Sequence, residues 1–389
     1  MSGLYILMAT AFVDMLGFAM VFPLLPFYAT RLGASPQVIG ILISSFSIAQ
    51  LASAPLWGRL SDRLGRRPVL LIGLASAGVA FIVFGLAQSV WVLLLSRTVQ
   101  GLGGGTTGVV QAYIGDSTDM RQRARGLGWI SAATSAGVMI GPAIGSAAAH
   151  FGRAAPGFVA AALCFLNVLF AWRYLPESKA ASARPARSIR TAVWQVISHP
   201  TAPQPRLIWI YAVGMGAFTS LSSVVALYLN FRFDITAKTI GYVFVYIGAL
   251  SVVMRAVVLG RMVDRFGETR VMRTGAVMLG LGMALYTLPG SVWMMAAVIP
   301  LVPIGTALLF PSVTALSSHH SEAKELGQMM GVQQAFGGMA RVVAPLVSTW
   351  LYQHLSPTDP FLAAASIMLL VTILAFRVPT QVRTPRLAA

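Results

Sequence analysis

The chain has 389 residues, of which 57% are hydrophobic and only 10% are charged. Soluble globular domains carry about 25% charged residues, so this composition excludes an ordinary soluble domain and indicates a membrane protein. The formal net charge of +17 does not indicate a nucleic-acid partner, because nearly all Lys and Arg lie in short gaps between apolar runs. Cys164 is the only cysteine and lies within an apolar run. With one cysteine the chain cannot form an intrachain disulfide.

Twelve apolar segments have about the length that a helix needs to cross a bilayer, which is roughly 20 residues. They are residues 4–28, 38–57, 69–88, 91–113, 127–149, 156–174, 207–229, 240–259, 271–288, 292–311, 328–352 and 360–376. This pattern predicts an all-α membrane protein with twelve transmembrane helices. The first segment lacks a preceding basic region and is too long for a signal-peptide core, so we expect it to remain as the first span.

The basic residues are distributed unequally between the two sides of the membrane. Gaps on one side contain 21 Lys and Arg, gaps on the other side contain four, and Arg97, Arg255 and Arg341 lie within spans. Loops rich in Lys and Arg face the cytoplasm. The sequence therefore predicts that both termini are cytoplasmic.

The most charged gap, Gly58 to Leu71, follows the second span and is called here the first charged turn. It has four arginines and one aspartate, and a charge in the middle of hydrocarbon costs about 3 kcal/mol or more, so the turn must lie in water. A weaker copy from Gly260 to Glu268, the second charged turn, repeats its Gly, Asp, Arg and Gly 202 residues later, with Glu268 in place of a basic residue. The sequence is therefore predicted to be duplicated.

The connection 176–206 is rich in Pro, Ser, Ala and Arg and lacks apparent apolar periodicity. It is predicted to be a cytoplasmic linker between a six-helix half at 1–175 and a second half at 207–389. Parallel halves of this kind imply a substrate path between them, near mid-membrane, that opens alternately to each side.

Three stretches share residues and spacings with a known family. The first charged turn has the pattern of motif A of the major facilitator superfamily at Gly58, Leu60, Asp62, Arg63, Gly65, Arg66 and Arg67. The fourth span resembles motif B at Leu94, Arg97, Gln100, Gly101 and Gly103. The fifth resembles motif C, the antiporter signature, at Gly137, Gly141, Pro142 and Gly145. Overall the chain is similar to the twelve-span drug:proton antiporter group, which includes tetracycline-efflux and multidrug-efflux proteins.

This resemblance implies two pseudo-symmetric six-helix halves in a bacterial inner membrane. It implies export of small amphipathic compounds in exchange for protons, by a monomer in the lipid bilayer. Asp62 and Arg63 would help to hold the inward side closed, with Asp116 as a partner for a motif A arginine. No catalytic set, metal-ligand spacing or phosphate loop is evident, so neither an enzyme nor a cofactor is expected.

The glycines of these motifs have a physical interpretation of their own. Gly58 and Gly65 permit tight turning and close helix approach. Gly137, Gly141 and Gly145 are four residues apart, so they share one helical face on which another helix can pack closely.

Asp14 is the only carboxylate within a predicted span. Arg97 in the fourth span lies at a similar depth and is the partner that we expect. The hypothesis is that protonation of Asp14 releases Arg97 and shifts the equilibrium between inward- and outward-open states. The alternative is a static buried ion pair that fixes helix register.

Polar side chains within the spans are candidates to line a substrate cavity. Arg341 has no acidic residue in its own span, so we expect it to face the cavity, backbone carbonyl groups or an anionic group of the substrate. The neutral candidates are Gln50, Gln111, Asn167, Gln333 and Gln334.

The chain differs from tetracycline-efflux proteins in its third and ninth spans, where those relatives carry acidic residues and residues 69–88 and 271–288 have none. This difference argues against tetracycline as the only substrate and favours a neutral, zwitterionic or anionic compound over a dication. Two alternatives remain open, namely a proton-coupled symporter or facilitator of a metabolite, and a membrane sensor that transports nothing.

Overall fold

The computed structural model describes residues 2–117, 120–178, 189–319 and 326–379. These residues form helices joined by short connections and contain no strand, which confirms the all-α class. The helices are α1 Ser2–Val21, α2 Leu25–Arg31, α3 Pro36–Leu64, α4 Arg66–Gly85, α5 Val90–Gly104, α6 Thr107–Ser117, α7 Met120–Ala148, α8 Ala155–Tyr174, α9 Ile189–Ser198, α10 Pro203–Phe233, α11 Ile240–Val253, α12 Leu259–Phe266, α13 Glu268–Leu285, α14 Val292–Val298, α15 Leu301–His319, α16 Leu326–His354 and α17 Asp359–Phe376.

In this part of the chain, 9 helical segments are long and apolar enough to cross a membrane, and they match nine of the twelve predicted spans. The other three predicted spans coincide with α5 and α6, with α13, and with α16. These helices are less apolar because they carry polar groups such as Arg97, Arg270 and Arg341. The helices are thus consistent with twelve spans.

Several spans are interrupted where the sequence disturbs helical hydrogen bonding. The first span consists of α1 and α2, separated by a turn at residues 22–24 that contains Pro23, which lacks a backbone donor. The fourth span is divided between α5 and α6 after a run of glycines. A π-helical stretch, Met254–Val258, joins α11 to α12.

Helix α9 lies within the range predicted to be a linker. The expected lack of apolar periodicity is wrong for this stretch, whereas the linker itself remains a prediction. Val193 and Val196 are three residues apart and pack against Ile208 in a buried apolar cluster. The Trp209 indole N–H donates to the Val196 carbonyl at 3.1 Å. Burial of one face therefore stabilises a short helix. Residues 179–188 of the predicted linker lie outside the described part of the chain.

One compact unit comprises Met1–Pro185, Ser223–Ala249 and Pro345–Gln353. In it α1 packs against α7 and α8, while α4 packs against α5 and α8. The Ser146 hydroxyl donates to the Ala237 carbonyl at 3.1 Å, and the Gln37 backbone N–H donates to the Gln353 side chain at 3.0 Å. The segments around residues 237 and 353 thus pack onto α7 and α3 at ends remote from the first charged turn.

The other compact unit comprises Ala186–Ser222, Leu250–Ala344 and His354–Ala389. Its helix α13 packs against α15 and α17. The Arg273 guanidinium on α13 donates to the carbonyls of Ala375 at 3.2 Å and Val378 at 2.7 Å. This arginine thus binds the backbone at the end of α17 and just beyond it, where the Ala375 carbonyl also accepts from the Val378 N–H at 3.2 Å.

Candidate proton-coupling and transport site

Asp14 lies near the middle of α1, where its side chain is partly buried. Its helix packs against α8. One turn further along α1, a Cβ on Gly17 would lie 3.0 Å from the Phe81 ring and 3.5 Å from the Cys164 sulfur. Among the described residues Asp14 forms neither a hydrogen bond nor an ion pair. A carboxyl without a fixed partner can gain and lose a proton without first breaking another contact.

Asn167 of α8 contributes to the position of the Asp14 segment. Its buried side-chain amide donates to the Thr10 carbonyl at 3.1 Å. Thr10 precedes Asp14 by one helical turn, so this bond fixes α8 against α1 at the level of Asp14. Contact of Asn167 with a substrate remains a prediction.

Arg97 of α5 is 1% exposed and lies against aromatic rings. Its guanidinium carbon is 4.7 Å from the centre of the Phe46 ring and 5.7 Å from that of Phe18. One terminal nitrogen donates to the Gln100 side-chain oxygen, whereas the buried Nε has no partner among the described residues. Cation–π contacts of this kind hold a desolvated arginine without neutralising its charge.

The predicted contact between Asp14 and Arg97 is absent, because no ion pair joins these two side chains in the described part of the chain. Phe18, which contacts Arg97, follows Asp14 by one turn of α1, or about 6 Å. The structure therefore places Arg97 beside the turn of α1 that follows Asp14. Their roles in proton transfer remain a prediction.

The motif C glycines form the contact surface between α7 and α1. A Cβ at Gly137, Gly141 or Gly145 would lie 2.4 to 2.7 Å from backbone oxygens of α1, closer than real Cβ atoms approach. The three glycines therefore allow two helix backbones to touch, as predicted from their spacing. Pro142 lies within α7, and its carbonyl oxygen would be 2.8 Å from a Cβ at Gly241 on α11.

The other predicted cavity residues differ in their surroundings. The Gln50 side-chain amide donates to the Gly104 carbonyl at 3.1 Å, which satisfies backbone at the break between α5 and α6. Gln333 is 1% exposed and donates to the Thr314 hydroxyl at 3.0 Å. Gln334 is exposed and Arg341 is half-buried. The side chain of Gln111 lies outside the described part of the structure.

The first charged turn contains a cluster of ion pairs centred on Arg66. Its guanidinium contacts Asp62 at 2.6 Å and Asp116, at the end of α6, at 3.0 Å. Only 13% of the Arg66 side chain and 10% of the Asp116 side chain are exposed, so water screens this pair less than an ordinary surface pair. Arg66 is thus the motif A arginine that pairs with Asp116. Arg63 is exposed and forms no ion pair within the described residues.

Glu177 contributes to the same cluster, and its role was not predicted. Its carboxylate accepts from the backbone N–H groups of Arg66 at 2.7 Å and Arg67 at 3.2 Å, so it caps the N-terminus of α4. Gly65 has φ of 97°, which favours glycine, and a Cβ there would lie 2.7 Å from the Glu177 carboxylate. The close approach predicted for Gly58 is not found, because a Cβ at Gly58 would meet nothing within 4 Å.

Two further contacts hold the segment that presents Glu177. The Tyr113 hydroxyl donates to the Pro176 carbonyl at 2.6 Å, and the Arg67 guanidinium donates to the Trp172 carbonyl. The Leu-Pro-Glu-Ser sequence after the sixth predicted span was the available signal for this role. Its carboxylate follows a span end on the side of the charged turn, but the sequence does not show which helix N-terminus it reaches.

Apolar helices with a carboxylate and an arginine in their interiors are typical of membrane proteins that move a substrate or an ion. The Major Facilitator Superfamily matches residues 7–258 and 256–388, so the chain belongs to this family. It is therefore an integral membrane transporter and not an enzyme.

Similarity to individual proteins extends over nearly the whole chain. The chain is 31% identical over 361 residues to the class C tetracycline resistance protein of Escherichia coli, covering 90% of each chain. It is 27% identical over 376 residues to multidrug resistance protein 2 of Bacillus subtilis, covering 94% of this chain and 92% of that one. The human organic anion transporter MFSD10 (TETRAN) shares the fold with a TM-score of 0.73 at 22% identity, covering 96% of this chain and 99% of that one.

Proposed function

We propose that this protein exports small amphipathic drugs or related compounds from the cytoplasm in exchange for protons. Transport occurs by alternating access, in the inner membrane of a bacterium, with the charged turns and both termini on the cytoplasmic side. The names of the tetracycline and multidrug resistance relatives support export of drugs, and the positive-inside rule supports the orientation.

The observation that carries the proton coupling is the state of Asp14. It is the one carboxylate within a predicted span, and it has no fixed partner among the described residues. When Asp14 is ionised it attracts a nearby cation, and when it is protonated this attraction is lost. Arg97 is the cation proposed to respond, since it lies beside the next turn of α1.

Helix α7 contacts both α1, which carries Asp14, and α11. Its glycines contact the backbone of α1 on one side, while Pro142, Ser146 and Met139 lie against Gly241 and Gly248 of α11. A small movement of α1 therefore cannot occur without a response from α7, because the contacts are too close to absorb it. This packing supports a role of motif C in coupling proton binding to the conformational change.

The experiment compares the parent protein with Asp14→Asn in proteoliposomes that have an imposed pH gradient. We expect addition of a transported dye to release protons from the parent and not from the variant, because asparagine cannot exchange a proton. Asp14→Glu should retain part of the coupled activity. Asp234→Asn is the matched control, since Asp234 is exposed and lies outside the spans, and its coupled transport should equal that of the parent.

Proton release by Asp14→Asn at the rate of the parent would refute the assignment of Asp14. Dye movement by the parent without proton flux would refute antiport and favour a facilitator. Inward movement of dye together with protons would instead support a symporter.

A further inference from the structure

Helix α16 has two exposed faces of opposite character. Met339, Val343 and Val347 follow one another at intervals of four residues, and they are 55%, 55% and 51% exposed. Residues four apart in a helix lie on the same side. This side of α16 is apolar and exposed, as expected of a surface in contact with lipid chains.

Gln334 and Arg341 lie on the other side of α16. They are seven residues apart, so at about 100° per residue they differ in direction by only about 20°. Val343 follows Arg341 by two residues, or about 200°. Gln334 is exposed and Arg341 is half-buried. A side of the helix that bears an amide and a guanidinium, opposite the apolar side, faces water or a polar compound rather than lipid.

Arg341 is also far from both ends of α16. The helix runs from Leu326 to His354, so Arg341 lies about 22 Å from its beginning and about 20 Å from its end at 1.5 Å per residue. An arginine side chain cannot extend over such a distance to a membrane surface. A phospholipid headgroup is therefore not the partner of this guanidinium.

No other group of the described chain neutralises Arg341, which forms neither an ion pair nor a hydrogen bond there. The sequences of α10, α11, α15 and α16 contain no Asp or Glu. An intramembrane cation without a protein partner is costly, and such residues generally mark the path of a substrate or ion.

We propose that Arg341 binds the anionic group of the transported compound, either a carboxylate or a sulfonate, with Gln334 two turns away as a neutral hydrogen-bonding group. The planar guanidinium can donate two parallel hydrogen bonds to such a group, which gives both affinity and orientation. This inference rests on the proposed function and defines its substrate class as amphipathic organic anions.

The test uses two xanthene dyes of similar shape, anionic carboxyfluorescein and cationic rhodamine 123. Binding to the purified full-length protein is measured by fluorescence polarisation in detergent, with phosphatidylcholine as the only lipid. The parent should bind the anionic dye more tightly. Arg341→Gln should weaken binding of the anionic dye by about tenfold or more, as expected for the loss of a charged hydrogen bond, without weakening that of the cationic dye.

Two further variants separate a binding role from a structural one. Arg341→Lys keeps the positive charge and should retain most of the preference for the anionic dye. Arg255→Gln removes another arginine from a predicted span and should leave that preference unchanged. Thermal unfolding of each variant shows whether it is folded.

The proposal fails if the parent prefers the cationic dye or shows no preference, or if Arg341→Gln weakens both dyes equally. If Arg341→Lys also loses the preference while it remains folded, binding depends on the planar guanidinium and not on positive charge alone. That result would still support the site. Because binding is measured without a proton gradient, failure of proton coupling in the Asp14 experiment would refute the proposed function and leave this result unaffected.

Discussion

In the first charged turn Arg66 pairs with Asp62 and Asp116, whereas the second charged turn has Glu268 at the equivalent position, paired with His319. Arg66 and Glu268 are 202 residues apart, and Asp116 and His319 are 203 apart. The His319 ring nitrogen lies 3.3 Å from the Glu268 carboxylate. A basic residue paired with an acidic one in the first repeat thus corresponds to an acidic residue paired with a histidine in the second, so a contact is retained at this position with the acidic and basic partners exchanged.

The two turns also differ in how the following helix begins. Gly65 and Gly267 both have positive φ, of 97° and 80°. The Glu177 carboxylate fills the space beside Gly65, whereas a Cβ at Gly267 would meet nothing within 4 Å. In the repeat, Leu175-Pro176-Glu177 corresponds to Val378-Pro379-Thr380, which has no carboxylate. In both repeats an arginine donates to a backbone carbonyl near the end of the last span of the half. Arg67 donates to Trp172 at the end of α8, and Arg273 donates to Ala375 at the end of α17.

Positions related by the duplication therefore preserve a contact rather than residue types. The first cluster joins Arg66 to two carboxylates, and only 13% of the Arg66 side chain and 10% of the Asp116 side chain are exposed. The second depends on a histidine, which is charged only when protonated and whose side chain is 52% exposed. Because water screens an exposed pair more than a buried one, the first charged turn is the stronger of the two.

The largest expected effect comes from removing the centre of the first cluster. Arg66→Gln leaves the nearly buried Asp116 without its cation, which we expect to cost about 1 to 3 kcal/mol and to lower the rate of dye export at least about tenfold. Export is measured in proteoliposomes, and folding by thermal unfolding. Arg59→Gln is the matched control, because Arg59 lies in the same turn, is exposed and has no ion pair in the described structure, and it should remain within about twofold of the parent.

The charge exchange between the repeats offers a second variant at the same position. Arg66→Asp combined with Asp116→Arg reverses the pair as the second repeat does, and it should recover part of the activity that Arg66→Asp alone removes. Equal losses in Arg66→Gln and Arg59→Gln, or no recovery in the double variant, would show that the ion pair does not determine activity.

A smaller effect is expected from the carboxylate that caps α4. Glu177→Gln removes its charge from the helix N-terminus, where a carboxylate cap contributes about 1 kcal/mol. The melting temperature should fall by about 2 °C. Glu268→Gln is the control, because Glu268 caps no helix through a comparable contact in the described chain. If the melting temperature falls as much in Glu268→Gln as in Glu177→Gln, the conclusion that the first charged turn is the stronger one is wrong.

Much of the fold could be predicted from the sequence, because spans need long apolar runs and charges must leave the hydrocarbon. The close approach of another helix at Gly137 followed from the four-residue glycine spacing, but the spacing did not show that this helix is α1. The α9 helix was missed because its short apolar face is stable only when it packs against other helices. Glu177 was missed because a cap joins residues 111 positions apart. The rings of Phe18 and Phe46 meet Arg97 only in the folded chain. The sequence therefore suggested Asp14 as the partner of Arg97.

The smallest expected effect concerns the Glu268–His319 pair of the second charged turn. The pair contributes at most about 1 kcal/mol, since exposed pairs are weak, and 52% of the His319 side chain is exposed. His319→Gln removes the basic group beside Glu268, so the melting temperature should fall by less than about 2 °C. His319→Lys keeps a basic group at this position and should retain the melting temperature of the parent. A fall in His319→Gln as large as that in Arg66→Gln would show that the second charged turn is as strong as the first.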